Sequence, residues 1–149
     1  MYVEKKRSFF SLHNMCYDIN LILFVKFFIT CYLVGMKVLL ISDTHIGQQL
    51  HSIPEILINE MNNCDMILHA GDISTPEALE LFSYFDNFIA VSGNSDDYLV
   101  SKLLQEIKII NLRNIKIGLF HGWGPSENLG KRIVDRFFYD KKIDILVYG

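Results

Sequence analysis

The sequence contains few cysteines and prolines, and none of its cysteines form a recognisable motif. Its 3 cysteines have no CxxC spacing, which argues against both a disulfide framework and a structural zinc site. The 3 prolines are scattered, and no repeat or low-complexity linker divides the 149 residues. A half-apolar chain of this length is typical of one globular domain with a single core.

The chain also lacks a surplus of positive charge. Its formal net charge is −3. Residues 1–35 have a net charge of +2, so residues 36–149 have a net charge of −5. A protein that binds nucleic acid needs a basic surface to neutralise phosphates. We therefore expect no nucleic-acid partner. A small phosphoester substrate is compatible with this charge, because bound metal ions can supply positive charge locally.

Residues 1–35 differ in composition from the rest of the chain. Residues 19–35 read INLILFVKFFITCYLVG, an apolar stretch interrupted by Lys26. The stretch is short for a membrane span, which needs about 20 apolar residues. A lysine in mid-span also costs on the order of 3 kcal/mol. No clear signal-peptide cleavage site precedes Met36.

Three interpretations of this stretch stay open: upstream sequence translated from an early start, a membrane-directed leader, or a signal peptide. We favour the first, because Met36 leads directly into the first core strand as an initiator would. We therefore predict that residues 1–35 are an N-terminal extension that packs little against a domain over residues 36–149. The expected location is cytoplasmic, with membrane association through residues 19–35 as the alternative.

Hydrophobic patterns predict strands that alternate with helices. Short apolar runs predict strands over residues 37–42, 66–70, 87–91 and 143–148. Two further runs around Arg113 and Asn114 predict a hairpin of strands 107–112 and 115–120. Helical spacing predicts helices over residues 53–62, 75–85, 98–104 and 128–139, the first of them after a capping box at Ser52 and Glu55. The alternation predicts an α/β fold, and the hairpin hints at a second sheet.

Polar residues follow several of these strands at the point where each strand ends. They are Asp43 and His45 after the first strand, Asp72 after the second, Asn94 after the third, and His121 after the second strand of the hairpin. Ligands bind at the carboxyl ends of strands in α/β sheets, so we expect these five side chains to share one site. Carboxylate, imidazole and amide oxygen together suit divalent ions such as Mn²⁺, Fe²⁺ or Zn²⁺.

Four short motifs at these positions carry a family resemblance. Asp43-Thr44-His45, Gly71-Asp72, Gly93-Asn94 and His121-Gly122 resemble the successive signatures of the calcineurin-like metallophosphoesterases, in particular their small YfcE-like branch. The resemblance spans residues 36–149. It implies a sandwich of two mixed β-sheets flanked by helices, incomplete at the C-terminus.

The resemblance also implies a metal centre and an activity. Asp43 and His45 would hold one ion, Asp72 would bridge two ions, and Asn94 and His121 would hold the second. The two divalent ions would be Mn²⁺, with Ni²⁺, Fe²⁺ or Zn²⁺ as alternatives. A hydroxide bridging them would hydrolyse a small phosphoester, best a phosphodiester, with Asp72, Asn94 and His121 as catalytic residues.

The sequence departs from the family pattern at two places. Ser95 follows Asn94 where many members have histidine, and because serine is a poor acid, esters with good leaving groups should be favoured. The sequence ends at Gly149, where the family's Gly-His-x-His motif would begin, so we predict a C-terminally truncated fragment with impaired activity. A non-catalytic interaction scaffold of the same fold, like the retromer subunit, is the alternative function.

The other conspicuous side chains receive more modest interpretations. Asp96, Ser95 and Trp123 are candidates to support the ligands or to contact the substrate. His69 lies inside the second strand, where the alternation of side chains points it away from Asp72. We therefore predict that His69 is a packed or hydrogen-bonded histidine and not a ligand.

Overall fold

The structure is a computed structural model that describes residues 8–11, 28–33, 35–122, 124 and 127–149. Within these residues the chain forms two four-stranded sheets. The first consists, side by side, of β2 (Phe28–Leu33), β3 (Met36–Ile41), β4 (Met66–His69) and β5 (Phe88–Ala90). The second consists of β1 (Ser8–Ser11), β8 (Ile145–Tyr148), β7 (Ile115–Phe120) and β6 (Ile107–Leu112). Each sheet contains parallel and antiparallel pairs, so the predicted α/β fold with two mixed sheets is confirmed.

Helices flank both sheets. In the described ranges they are α1 (Glu55–Asn62), α2 (Pro76–Ser83), α3 (Tyr98–Leu103) and α4 (Leu129–Ile133), the last continuing as a π-helical turn over Val134–Phe138. None of the helices in this part of the chain is long and apolar enough to span a membrane.

The side chains of β3 show how the layers stack. Val38 and Leu40 pack with residues of the second sheet, whereas Leu39 and Ile41 pack with residues of α1 and α2. All four side chains are buried, as expected for alternating residues of a strand covered on both faces. The strand predicted over residues 37–42 is therefore confirmed.

A third apolar cluster covers the outer face of the second sheet. Phe120 of β7 and Leu146 of β8 pack against Ile133, Val134 and Phe138. The sheets therefore lie between two helical layers, and β3, β4 and β5 end at the same edge of the first sheet because they run parallel.

The predicted elements lie within about two residues of the observed bounds, and two helices differ in detail. The hairpin strands have the predicted bounds, and Thr75 caps α2 by accepting a hydrogen bond from the amide of Ala78 at 3.2 Å. α1 begins without the capping box, because the residue before Pro54 is disfavoured in a helical conformation. The predicted last helix changes to π-helical geometry in its second half.

Part of the N-terminal extension is built into both sheets. β2 pairs antiparallel with β3 along its whole length, and β1 pairs parallel with β8. Phe28 is buried in the core on the helical side, and the Thr30 hydroxyl donates to Glu60 of α1 at 2.8 Å. The prediction that residues 1–35 pack little against the rest is therefore wrong for these two segments. The division of the chain at residue 36 stays a prediction.

Starting the chain at Met36 is expected to destabilise it. Removing β2 exposes one edge of the first sheet and leaves the space filled by Phe28 empty, and burial of one such side chain alone contributes about 1.5–3 kcal/mol. We expect urea denaturation to show a free energy of unfolding lower by at least about 2 kcal/mol. The substitution Tyr32→Thr, at a position of β2 that is 75% exposed, is the control and should keep the stability of the parent. An unchanged or higher unfolding free energy for the Met36 start would contradict the pairing of β2.

Candidate metal centre

Asp43 and His45 lie in the turn that follows β3. Their amides donate to carbonyls of the turn after β4, Asp43 to Gly71 at 3.1 Å and His45 to Asp72 at 3.2 Å. Both residues have positive φ, 54° and 45°, a left-handed conformation that residues other than glycine adopt rarely. Backbone strain of this kind clusters at functional sites. Here it brings both side chains to the edge where Asp72 lies.

Ser74 orients the ring of His45. The Nδ1 of His45 lies 3.0 Å from the Ser74 hydroxyl oxygen, so its Nε2 faces the Oδ2 atom of Asp72 at 3.6 Å. Ser74 is fully buried and also has positive φ, 89°. No sequence pattern indicates Ser74, because only this unusual backbone conformation turns its hydroxyl toward His45.

Asp72 is the carboxylate that connects the site. Its Oδ1 atom accepts a hydrogen bond from the amide of Ser95 at 2.8 Å, which leaves Oδ2 facing the Nε2 atoms of His45 at 3.6 Å and His121 at 3.4 Å. The turn after β5 can approach this closely only because Gly93 has no side chain. A Cβ atom there would lie 2.1 Å from Asp72 Oδ1.

Asp96 ties the turns after β4 and β5 together. Its two carboxylate oxygens accept from the amides of Ser74 and Gly93, each at 2.7 Å. Both oxygens are therefore occupied by backbone amides. Of the two roles predicted for Asp96, these contacts favour support of the ligands over contact with the substrate. The support matters because these two turns carry Asp72 and Asn94.

His121 follows β7 and reaches the site from the second sheet. Its Nδ1–H donates to the carbonyl of Ala70 at 2.7 Å, as metal-binding histidines commonly do through their second nitrogen. In the neutral ring, the lone pair of Nε2 then faces Asn94 Oδ1 at 3.1 Å and Asp72 Oδ2 at 3.4 Å. The amide nitrogen of Asn94 donates to the Ser95 hydroxyl at 3.2 Å, so its oxygen points to the site.

The charges at the site favour a cation between Asp72 and His121. Burial raises the pKa of Asp72, but hydrogen bonds from His121 and from the Ser95 amide outweigh it and lower the pKa to about 2. Burial lowers the pKa of His121, but the Asp72 carboxylate and the Ala70 carbonyl outweigh it and raise the pKa above its ordinary value. A positive charge is therefore stabilised here, whether a proton or a metal ion carries it.

The donor set fits divalent metal ions. Ligand atoms of Asp43, His45 and Asp72 lie within 4.8 Å of one another. Beside them, Asp72 Oδ2, His121 Nε2 and Asn94 Oδ1 converge, and all three carry lone pairs when the His121 ring is neutral. Such atoms gain nothing from one another unless a cation lies between them. Oxygen and imidazole nitrogen are also the donors that Mn²⁺, Fe²⁺ and Zn²⁺ take in proteins.

The structure thus brings together all the side chains that the sequence predicts as ligands. They form one connected group of Asp43, His45, Asp72, Asn94 and His121. Trp123, predicted to contact the substrate, lies outside the described residues. His69 is buried and hydrogen-bonded to Thr44, and so confirms the prediction of a packed histidine.

Comparison with known proteins identifies the class. A sequence model of the calcineurin-like phosphoesterase superfamily domain matches residues 36–149. The chain therefore belongs to this superfamily of metal-dependent phosphoesterases, and the resemblance seen in the motifs is confirmed.

Individual relatives agree with this assignment. A probable metallophosphoesterase of Methanocaldococcus jannaschii is 30% identical over 125 residues, which are 80% of this chain but only 62% of that protein. A solved protein of Thermotoga maritima is 28% identical with a TM-score of 0.60, over 75% of this chain and 71% of that one. Vps29 of Entamoeba histolytica, solved with Zn²⁺, is 27% identical with a TM-score of 0.56. The match covers 75% of this chain and 62% of that one.

Proposed function

We propose that the site is the active site of a metal-dependent phosphodiesterase with two divalent ions. The observation that carries the proposal is the position of Asp72, whose Oδ2 atom faces both His45 and His121. A carboxylate between two groups of ligands can be shared by two cations. Pairs of cations stabilise both the attacking and the leaving oxygen of a phosphoester.

Each ion would have its own ligands besides the shared Asp72. Asp43 and His45 would hold the first ion, and Asn94 and His121 the second. Mn²⁺ suits this mixture of oxygen and imidazole donors, and Ni²⁺, Fe²⁺ and Zn²⁺ are alternatives. When bound, the pair supplies positive charge for the phosphate oxygens and lowers the pKa of water to provide a nucleophile.

The chain fixes the ligands before substrate arrives. The Ser95 amide occupies Asp72 Oδ1, so the carboxylate offers Oδ2 in a fixed orientation. Ser74 and the Ala70 carbonyl hold the rings of His45 and His121. Preorganised ligands matter because catalysis of this kind depends on positioning and on charges that do not have to reorient during the reaction.

Ser95 sets a limit on the leaving group. Its hydroxyl oxygen accepts from Asn94, and its hydrogen takes part in a hydrogen bond to the Asp72 carboxylate. A hydroxyl is also too weak an acid to transfer that proton, and a leaving group of high basicity would depart slowly. Esters with good leaving groups are therefore the expected substrates.

The end of β8 lies against the same ligands. The Gly149 amide donates to the His121 carbonyl at 2.9 Å, and a Cβ atom on Gly149 would lie 2.7 Å from His121 Nδ1. Residues that follow Gly149 in a longer form of the protein would begin beside the site. A His-x-His sequence there would complete the motif that begins at Gly149 and add one imidazole to each ion, and residues 1–149 alone would then hydrolyse phosphoesters slowly.

The partner expected from this proposal is a small phosphoester. The formal net charge of −3 does not favour binding to a nucleic acid. Such binding is driven by basic side chains that neutralise phosphates and release their counterions. The activity is expected in the cytoplasm.

A protein-interaction scaffold is the second candidate function. Three large apolar side chains of α3 are exposed, Tyr98 at 73%, Leu99 at 59% and Leu103 at 71%. Exposed apolar residues grouped on one helix can mark an interaction site. Vps29, whose name denotes vacuolar protein sorting, is among the similar structures.

Hydrolysis of bis(4-nitrophenyl) phosphate tests the proposal. We expect turnover that depends on Mn²⁺. We also expect it to be on the order of 10²-fold faster in a form extended beyond Gly149 by His-x-His and the strands that follow, because incomplete coordination misplaces the reacting groups. A dialkyl phosphate, with its poorer leaving group, should react more slowly. A folded, extended protein without turnover in Mn²⁺, Ni²⁺, Fe²⁺ or Zn²⁺ would contradict the proposal and favour the scaffold.

A further inference from the structure

His69 is buried with one polar atom unpaired. Its ring is fully buried in β4, and Nδ1 is the one buried side-chain nitrogen or oxygen without a hydrogen-bond partner in the part of the chain that the structure describes. Its other nitrogen, Nε2, lies 3.1 Å from the Thr44 hydroxyl oxygen. Unpaired buried polar atoms destabilise a fold and are rare, so the presence of this one calls for a reason.

Packing does not provide that reason. The ring lies edge-on to Phe82, with centroids 5.2 Å apart, and near Phe88 at 6.3 Å. A phenylalanine at position 69 would complete this aromatic cluster and remove the unpaired Nδ1, but the buried Thr44 hydroxyl would lose its partner. What histidine provides that phenylalanine cannot is the hydrogen bond to Thr44.

The direction of that hydrogen bond follows from the burial of the ring. Burial lowers the pKa of His69 to about 3, so the ring is neutral and carries one N–H. If Nδ1 carried it, a buried donor would be unpaired, which is rarer in proteins than an unpaired acceptor. Nε2–H therefore donates to the Thr44 oxygen.

Thr44 is the middle residue of the turn that carries two of the ligands. Its neighbours Asp43 and His45 both have positive φ, and their amides are held by the carbonyls of Gly71 and Asp72. The Thr44 side chain is fixed by His69 alone among the side chains in the described ranges. Three consecutive residues of this strained turn are thus anchored to β4 and the turn after it.

We propose that His69 is a positioning residue of the metal centre, which acts through Thr44 to hold Asp43 and His45 in the geometry in which both meet Asp72. The inference rests on the proposed metal site. It assigns His69 no contact with metal or substrate. Its role is to keep a left-handed turn from relaxing to a conformation in which the two ligands diverge.

Matched substitutions separate positioning from packing. His69→Phe and Thr44→Val remove the hydrogen bond and keep the volume, whereas His69→Gln and Thr44→Ser keep a group that can make it. We expect the first two substitutions to weaken Mn²⁺ binding about tenfold, measured by titration of the whole chain. This is the lower end of the range of affinity losses for residues that orient metal ligands. His69→Gln and Thr44→Ser should bind within about twofold of the parent. The double variant His69→Phe, Thr44→Val should be no weaker than either single variant, since both remove the same hydrogen bond.

The melting temperature of the metal-free protein provides the second measurement. It should change little in His69→Phe, because the loss of the unpaired Nδ1 offsets the lost partner of the buried Thr44 hydroxyl. Unchanged Mn²⁺ affinity in His69→Phe would overturn the inference. A loss of Mn²⁺ affinity would also overturn it if the melting temperature of His69→Phe falls as well and His69→Gln shows the same loss.

If the parent chain itself binds no Mn²⁺, the proposed metal site fails, and the amide NMR signals of Asp43 and His45 decide the positioning role separately. A shift of both signals in His69→Phe but not in His69→Gln would support it. Signals that stay in place would overturn it.

Discussion

Replacing Asp72 with asparagine is expected to abolish Mn²⁺-dependent hydrolysis and to weaken Mn²⁺ binding by on the order of 10²-fold or more. Asparagine has one side-chain oxygen. The Ser95 amide, which donates to Asp72 Oδ1 in the parent, will donate its hydrogen bond to this oxygen. The NH₂ group then points to the Nε2 atoms of His45 and His121, where Asp72 Oδ2 lies in the parent. It can donate a hydrogen bond to either ring, so the substitution both removes the shared charge and blocks the lone pairs of the ligands.

Asp86→Asn is the matched control for this substitution. Asp86 is exposed and lies just before β5, at the opposite end of the strand from the site, so the same change of charge should leave both Mn²⁺ affinity and hydrolysis unchanged. Melting temperatures without metal should show that Asp72→Asn is folded. An Asp72→Asn protein that binds Mn²⁺ and turns over substrate at the parental rate would exclude Asp72 as the shared ligand.

Gly93→Ala is expected to have the second largest effect. The new Cβ atom would lie 2.1 Å from Asp72 Oδ1 and 2.3 Å from the Asp72 amide nitrogen, so the turn after β4 must move. A displacement of about 1 Å can lower catalytic rates on the order of 10²-fold. Overpacking of this kind also lowers the free energy of unfolding by about 1–3 kcal/mol. Both effects should appear together, in a hydrolysis assay and in urea denaturation.

Gly35→Ala separates the collision from the general cost of losing a glycine. Gly35 has φ +80°, and its nearest atom to an added Cβ is 3.8 Å away, so alanine there suffers backbone strain of about 1 kcal/mol without a collision. The Gly35→Ala protein should therefore lose some stability and keep its Mn²⁺ affinity. If Gly93→Ala also keeps its affinity, the close approach of the two turns has no part in forming the site.

The sequence predicts which of the candidate side chains meet, because their positions depend on local patterns. Each of Asp43, Asp72 and His121 follows a strand whose apolar run is visible in the sequence, and parallel strands end at a common edge. The hairpin around Arg113 is predicted with the observed bounds for the same reason. Where a candidate ligand directly follows a predicted strand, the sequence alone predicts that it lies near the other candidate ligands.

Features that depend on contacts between distant segments could not be predicted in this way. The orientation of His45 by Ser74, the two amides held by Asp96 and the space that Gly93 leaves for Asp72 arise only when three turns pack together. The pairing of β1 with β8 joins the two ends of the chain, which no local pattern indicates. The apolar composition of residues 19–35 favours an N-terminal extension outside the domain, whereas β2 within it is an edge strand of the first sheet.

Anomalous diffraction from crystals soaked in Mn²⁺ tests the central claim most directly, namely that Asp72 is shared by two ions. The account predicts two anomalous peaks about 3.5–4 Å apart, both within bonding distance of Asp72. Asp43 and His45 should coordinate one of them, and Asn94 and His121 the other. A peak that does not involve Asp72, or no peak at these residues when Mn²⁺ saturates the crystal, would contradict it.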